Sequence, residues 1–304
     1  MTGARIGFIG LGNMGGRMTK CIVRAGREVV GYDAREETIS AAGATVATSA
    51  SAVIDACDVV LLSLPDSRVV EAVVFGDDGL LAHARAGQII MDLSTSSPAS
   101  TRKIRELFAD KGAEYLDAGI SGGAAAADKG ALTLMVGGDP DAVDRVREIL
   151  RFFASEIFFV GESGAGHTTK LLNNFLNAVS LAATAEVMVA GKKAGLDLEL
   201  LLEVLNKSSG INFATLNRFP KIIKGDYLKG GLTNTLMMKD VTLYADLLSQ
   251  LGVPSLNSSG PLASFGLANA LGYADEISNT VVDAIGDISG GIRLHDKTSE
   301  ERNL

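Results

Sequence analysis

The chain has 304 residues, 47% of them apolar, with a formal net charge of −8 and two cysteines. That length exceeds what one core usually organises and predicts two domains, while the apolar content excludes a disordered chain. The acidic balance, with no run of Lys or Arg longer than two, excludes the electrostatic footprint of a nucleic-acid binder.

Residues 4–160 alternate short apolar runs with segments long enough for helices. The runs are RIGFIG (5–10), EVVGYD (28–33), DVVLLSL (58–64), QIIMDLS (88–94), EYLDAG (114–119), LTLMVGG (132–138) and IFFVG (157–161). Near-continuous apolar strands between helices predict a doubly wound, mostly parallel sheet covered on both faces. After residue 164 the apolar positions recur at helical spacing. One long helix is predicted over 168–195, stopping at Gly195, with others over 197–209, 235–252, 261–272 and 274–290. The tail 293–304 is polar and reads as loose. The fold class is therefore α/β, an N-terminal domain over 1–163 followed by an all-helical domain over 164–304.

The opening MTGARIGFIG enters a strand without the long apolar core of a targeting segment, and a cytoplasmic protein is expected. The longest low-charge stretch, near 171–185, carries Asn173, Asn174 and Asn177 and is too short and polar for a bilayer span. Cys21 and Cys57 have no metal-like spacing; they read as reduced core residues, and no metal is expected. Apolar helices such as 171–191 are long enough to serve interdomain or subunit packing, and a homodimer or homotetramer is expected.

GFIGLGNMGG holds Gly10, Gly12 and Gly15 in G-x-G-x-x-G spacing, between a strand and a helix. Gly10 permits the tight turn, Gly12 lets a pyrophosphate approach the backbone, and Gly15 lets the helix pack on the sheet. With Leu11, Asn13 and Met14 these residues form a dinucleotide loop, and the helix start offers free N–H groups to phosphates. Asp33 lies 23 residues after Gly10, where an acid bonds the ribose 2′-OH. A carboxylate there favours NAD and repels a 2′-phosphate, although Arg35 two residues on softens the preference and leaves NADP admitted. A solvated turn or helix cap is the bland reading of Asp33. The strand ends SLP (63–65) and DLSTSSP (92–98) face the same ligand, with Ser94 and Thr95 also open to plain capping.

Taken together, five ordered motifs resemble the β-hydroxyacid dehydrogenase family over nearly the whole chain. They are GFIGLGNMGGRM, DLSTSSP, DAGISGGAAAADKGALTLMVGG (117–138), GAGHTTKLLNN (164–174) and MMKDVTLYADLLSQLGVP (237–254). The resemblance implies a Rossmann-type NAD-binding domain, Lys170 as the catalytic residue and Asn174 as its companion at the substrate. It implies that Ser121, Gly122 and Gly123 hold the substrate, that Leu64, Pro65 and Thr95 border the dinucleotide, and that Lys239 reaches the cofactor from the helical domain. Two positions depart: Gly119 stands where the family often has Pro, which would loosen the substrate loop, and Leu232 where an aromatic is common.

A dehydrogenase moves a hydride and a proton, and the nicotinamide carries only the hydride. Lys170, heading an apolar helix, suits the proton: desolvation and a cationic nicotinamide both bias an ammonium toward its neutral form. Asn174 lies one turn along the same face and can bond the lysine nitrogen or the substrate hydroxyl. His167, three residues before Lys170, reads as a bystander. The bland alternative is a lysine snorkelling to water. Successive N–H groups in the S-G-G turn suit a carboxylate, so the expected partner is a small carboxylate-bearing substrate with an alcohol or aldehyde β to the carboxylate. Two other functions compete. A non-catalytic dinucleotide sensor or scaffold would not need Lys170 and Asn174. A decarboxylase resembling 6-phosphogluconate dehydrogenase would carry His and Glu where this chain has Asn173 and Asn177. Which acid is used, in which direction, and how strictly NAD is chosen are not legible in the motifs.

Overall fold

A computed structural model describes residues 3–297, in two compact units, residues 1–170 and 171–304 by their contacts. The first unit carries eight strands: β1 (Ile6–Ile9), β2 (Val29–Tyr32), β3 (Thr45–Val46), β4 (Val59–Leu62), β5 (Ile89–Asp92), β6 (Glu114–Ser121), β7 (Leu132–Gly137) and β8 (Ala154–Gly161). They form one sheet in the order β3-β2-β1-β4-β5-β6-β7-β8. Every neighbouring pair is parallel except β6 and β7, which pair antiparallel with Gly119 opposite Met135. All seven apolar runs became strands; the two-residue β3 carries no such run and escapes the sequence pattern.

Residues in β1, β4 and β5 are buried along their whole length, which explains the unbroken apolar runs. Ile6, Phe8, Val59 and Leu61 enter a core on one face, whereas Ile9, Val60, Leu62 and Ile90 enter a core on the other. Alternating side chains thus all leave water, at about 1.5–3 kcal/mol of stabilisation per fully buried large aliphatic. Helices cover both faces, among them the glycine-loop helix Asn13–Arg24 and the helix Pro98–Ala109.

A helix of 29 residues, Ala165–Lys193, begins in the first unit and runs into the second. In the second unit its Ala178, Leu181, Ala185 and Met188 recur at helical spacing and are buried in one core with Phe219, Tyr227, Met237 and Phe265. Gly195, with φ +78°, follows the helix end. The helix Asn234–Leu251 starts at Thr233, whose side chain accepts from Leu236 N, and ends at Gly252 in the left-handed conformation. Two short helices, Phe213–Asn217 and Phe219–Ile222, escape the sequence pattern because an Asn cap and a proline, not periodicity, define them. The expected loose tail is packed as far as it is described: Leu294 and His295 are buried, and Tyr227 joins His295 at 3.0 Å. Residues 298–304 of that expectation lie outside the described residues.

Candidate active site

Gly10 follows β1 with φ +86°, and a Cβ on it would lie 2.3 Å from the Ser63 carbonyl oxygen. A Cβ on Gly15 would lie 1.9 Å from the Gly10 carbonyl oxygen. Both positions therefore demand glycine. Gly12 differs: the nearest atom to a Cβ placed there would belong to the Arg35 guanidinium, at 3.9 Å, so the loop backbone is open at this point. It is also the N-cap of the 12-residue helix carrying Asn13 and Met14. An open backbone before a helix start of that length fits a pyrophosphate, with the N–H groups as donors. Asp33, just after β2, holds this loop: its carboxylate accepts from Leu11 N at 2.7 Å and from Arg35 N at 2.9 Å. The cap of the next helix is Arg35, not Asp33. The Arg35 guanidinium lies 4.0 Å from the same carboxylate.

The loops after β4 and β5 are tied together. Leu64 N donates to Ser94 Oγ at 2.9 Å, and Ser94 N donates to Asp92 at 2.9 Å. Ser94 is thus a strut between strand ends and not a helix cap; the cap of Pro98–Ala109 is Ser97. Leu64 and Thr95 are partly exposed and Pro65 exposed, at the carboxyl ends of parallel strands, where open α/β sheets bind ligands.

Beneath them lies a buried polar network that the sequence patterns do not show. Asp92 and Asp117 are in register on β5 and β6, and both are fully buried. Asp92 accepts from Ser96 Oγ at 3.0 Å and from Tyr115 Oη at 3.3 Å. Burial, then the Asp92 charge, holds the Tyr115 phenol far above its ordinary pKa, so it remains a donor. Asp117 accepts from Gly164 N at 2.7 Å and His167 N at 2.8 Å. Thr101 Oγ1 bonds the Ser97 carbonyl, and His167 Nδ1 lies 2.7 Å from the same hydroxyl. Either the hydroxyl or Nδ1 can donate in that bond, according to the tautomer of the ring. His167 is fully buried, with Nε2 3.8 Å from Asp92.

Lys170 sits on the second turn of the long helix, partly buried, against β6. A Cβ on Gly119 would lie 2.4 Å from Lys170 Cβ. Gly119 therefore does not loosen a loop: it lies inside β6, where the lysine leaves no room for a side chain. Two residues on, β6 ends in Ser121, followed by Gly122 at φ +118° and Gly123 at φ +68°.

In the second unit Asn174 is buried, and its Nδ2 donates to Asp240 at 2.5 Å. Lys239 pairs with the other oxygen of Asp240 at 3.1 Å. Asn173 Nδ2 reaches Asn174 Oδ1 at 3.3 Å. Asp240, the partner that Asn174 finds here, stands beside Lys239 in MMKD without any local signal of the role. Among the described residues no group of His, Cys, Asp and Glu is arranged to hold a metal, and no helix is long and apolar enough to cross a membrane.

Residues 5–161 match the family model for the NAD binding domain of 6-phosphogluconate dehydrogenase, and residues 164–283 match that for the NAD-binding domain of NADP-dependent 3-hydroxyisobutyrate dehydrogenase. A 2-(hydroxymethyl)glutarate dehydrogenase of Eubacterium barkeri is 34% identical, covering 94% of this chain and 96% of its own. The chain belongs to the β-hydroxyacid dehydrogenase family. An NAD-dependent L-serine dehydrogenase of Pseudomonas aeruginosa is 38% identical, over 87% of this chain and 90% of its own. The solved 3-hydroxyisobutyrate dehydrogenase of Mycobacterium tuberculosis, with L-serine, is similar with a TM-score of 0.81 at 30% identity, covering 93% of this chain and 99% of that one. The protein is thus an NAD(P)-dependent dehydrogenase/reductase acting on CH–OH groups.

Proposed function

We propose that this chain interconverts a small 3-hydroxy acid and its semialdehyde with NAD, using Lys170 as the proton donor and acceptor. The substrates named for the relatives share one skeleton. 3-Hydroxyisobutyrate, serine and 2-(hydroxymethyl)glutarate are all HO–CH2–CH(R)–COO−, a primary alcohol β to a carboxylate, and differ only in R. The proposed substrate has this skeleton.

One observation carries the reading: Lys170 Cβ abuts Gly119 on β6, two residues before the Ser121–Gly123 turn. A substrate whose carboxylate accepts N–H bonds from that turn then has its hydroxymethyl group within the span of a lysine side chain. When bound, the cofactor supplies the hydride chemistry. Lys170 Nζ, as the amine, accepts the hydroxyl proton; as the ammonium it returns it to the carbonyl oxygen in reduction. Ser121, Gly122 and Gly123 orient the carboxylate, and Asn174 with Lys239, through Asp240, ties together the two helices that carry them. Exposed Leu176, Leu200, Leu256 and Ile288 support a homodimer or homotetramer.

The test is turnover followed at the nicotinamide absorbance with HO–CH2–CH(R)–COO− compounds of varied R. Lys170→Ala should bind NAD as the wild type does and lose roughly 100- to 10,000-fold in kcat, the range of a general acid–base group. Wild-type NAD binding with no turnover on any such acid would leave the sensor reading standing. Full turnover by Lys170→Ala would assign the proton to another group.

A further inference from the structure

Helix N-termini leave backbone N–H groups without partners, and a Ser, Thr, Asp or Asn at the N-cap usually accepts one of them. The helix Ala165–Lys193 has Gly164 before it, which has no side chain. Its cap comes instead from a distant strand. Asp117 on β6 accepts from Gly164 N and from His167 N, the third residue of the helix, at 2.7 and 2.8 Å. Its carboxylate is fully buried, and a negative charge there also suits the positive end of the helix.

The same few residues bring helix and sheet unusually close. A Cβ on Gly166 would lie 2.5 Å from the Met135 carbonyl oxygen and 2.6 Å from that of Asp117. A Cβ on Gly137 of β7 would lie 2.8 Å from Gly166 N. Gly166 and Lys170 are four apart and share a helix face; Asp117 and Gly119 are two apart and share a strand face. Cap and close approach therefore act along one line, which ends at the lysine.

We propose that Asp117 and Gly119 are positioning residues that set the location of the Lys170 amine, Asp117 by fixing the start of the helix and Gly119 by fixing its distance from β6. This rests on the proton role of Lys170 given above. Carbon atoms pack at about 3.5–4.0 Å. A methyl at 119 thus displaces Lys170, nominally 2.4 Å away, by on the order of 1 Å. A misplacement of that size costs a rate of roughly 100-fold.

The experiment compares Gly119→Ala with Gly191→Ala near the far end of the same helix, whose new methyl would lie 2.5 Å from Leu201 Cδ2 and so carries a similar overlap about 30 Å along the helix from the lysine. Gly119→Ala should keep its NAD dissociation constant, lose roughly 10- to 100-fold in kcat, and show a displaced pH profile of kcat. Gly191→Ala should keep the kcat and pH profile of the wild type. Asp117→Asn keeps size and one acceptor but loses the charge and the second bond; it should lower kcat in the same sense with the cofactor still bound. Wild-type kcat and pH profile in folded Gly119→Ala and Asp117→Asn would overturn the proposal. So would failure of both to fold, because the contacts would then serve the fold and not the lysine. If Lys170→Ala is inactive while Gly119→Ala behaves as wild type, only the positioning role falls; if Lys170→Ala turns over, the proton assignment falls first.

Discussion

Replacing Asp33 separates two things that its carboxylate does. One oxygen holds Leu11 N of the glycine loop at 2.7 Å, and this matters to either cofactor. The charge itself matters only to the choice between them. Two unit charges 4 Å apart interact by about 1 kcal/mol in water and about 4 kcal/mol at an effective dielectric of 20. The Asp33 side chain is only 13% exposed, which favours the upper part of that range, while Arg35 at 4.0 Å offsets some of the repulsion toward a 2′-phosphate. A net change of about 1.4–2.8 kcal/mol, or roughly 10- to 100-fold, is expected in the ratio of kcat/KM for NAD over NADP. The assay is steady-state kinetics with both cofactors for Asp33→Ala and Asp33→Asn. Alanine should also weaken both cofactors by a shared factor, because Leu11 N loses its partner; a bond to a charged group is worth about 1.5–3 kcal/mol. Asparagine keeps an acceptor, so its shared loss should be smaller with a similar change in ratio. An unchanged ratio in both variants, or a wild type that already prefers NADP, would refute the ribose role of Asp33.

Tyr227 donates to Asp283 at 2.8 Å and lies 3.0 Å from His295 Nε2, all three buried. Tyr227→Phe leaves those partners short of a bond and should cost about 1–3 kcal/mol in urea unfolding; a midpoint equal to wild type would show that the C-terminal segment is held by other contacts. Burial pushes the Cys57 thiol from 9.0 up to about 11. Between these values the unfolded chain ionises and the folded one keeps its proton, so stability is fully present below pH 9 and falls as pH rises toward 11. Relative to Cys57→Ala, which has nothing to titrate there, the wild type should lose up to roughly 2 kcal/mol across that window; parallel stability curves would show the thiol to be accessible to water.

The glycine loop, the strand ends, the S-G-G turn and the lysine helix are legible in the sequence because each is a local pattern. A tight turn needs glycine at fixed offsets, a sheet covered on both sides needs unbroken apolar runs, and a helix needs recurrence every three or four residues. Each requirement is met within about ten residues, so the sequence alone determines the two-part fold, the glycine loop and the order of the motifs. Asp92 and Asp117 stand inside two of those motifs, yet nothing in the neighbouring residues reveals their tasks.

What only the tertiary structure decided is which polar groups meet. Asp117 caps a helix that begins 47 positions away, Asn174 turns to Asp240, 66 positions away, and Gly119 is required by a lysine on another element. A buried carboxylate must satisfy its lone pairs and a helix start must satisfy its N–H groups. Those needs fix that partners exist but not where in the chain they come from, because the pairing is made by packing and leaves no periodic trace.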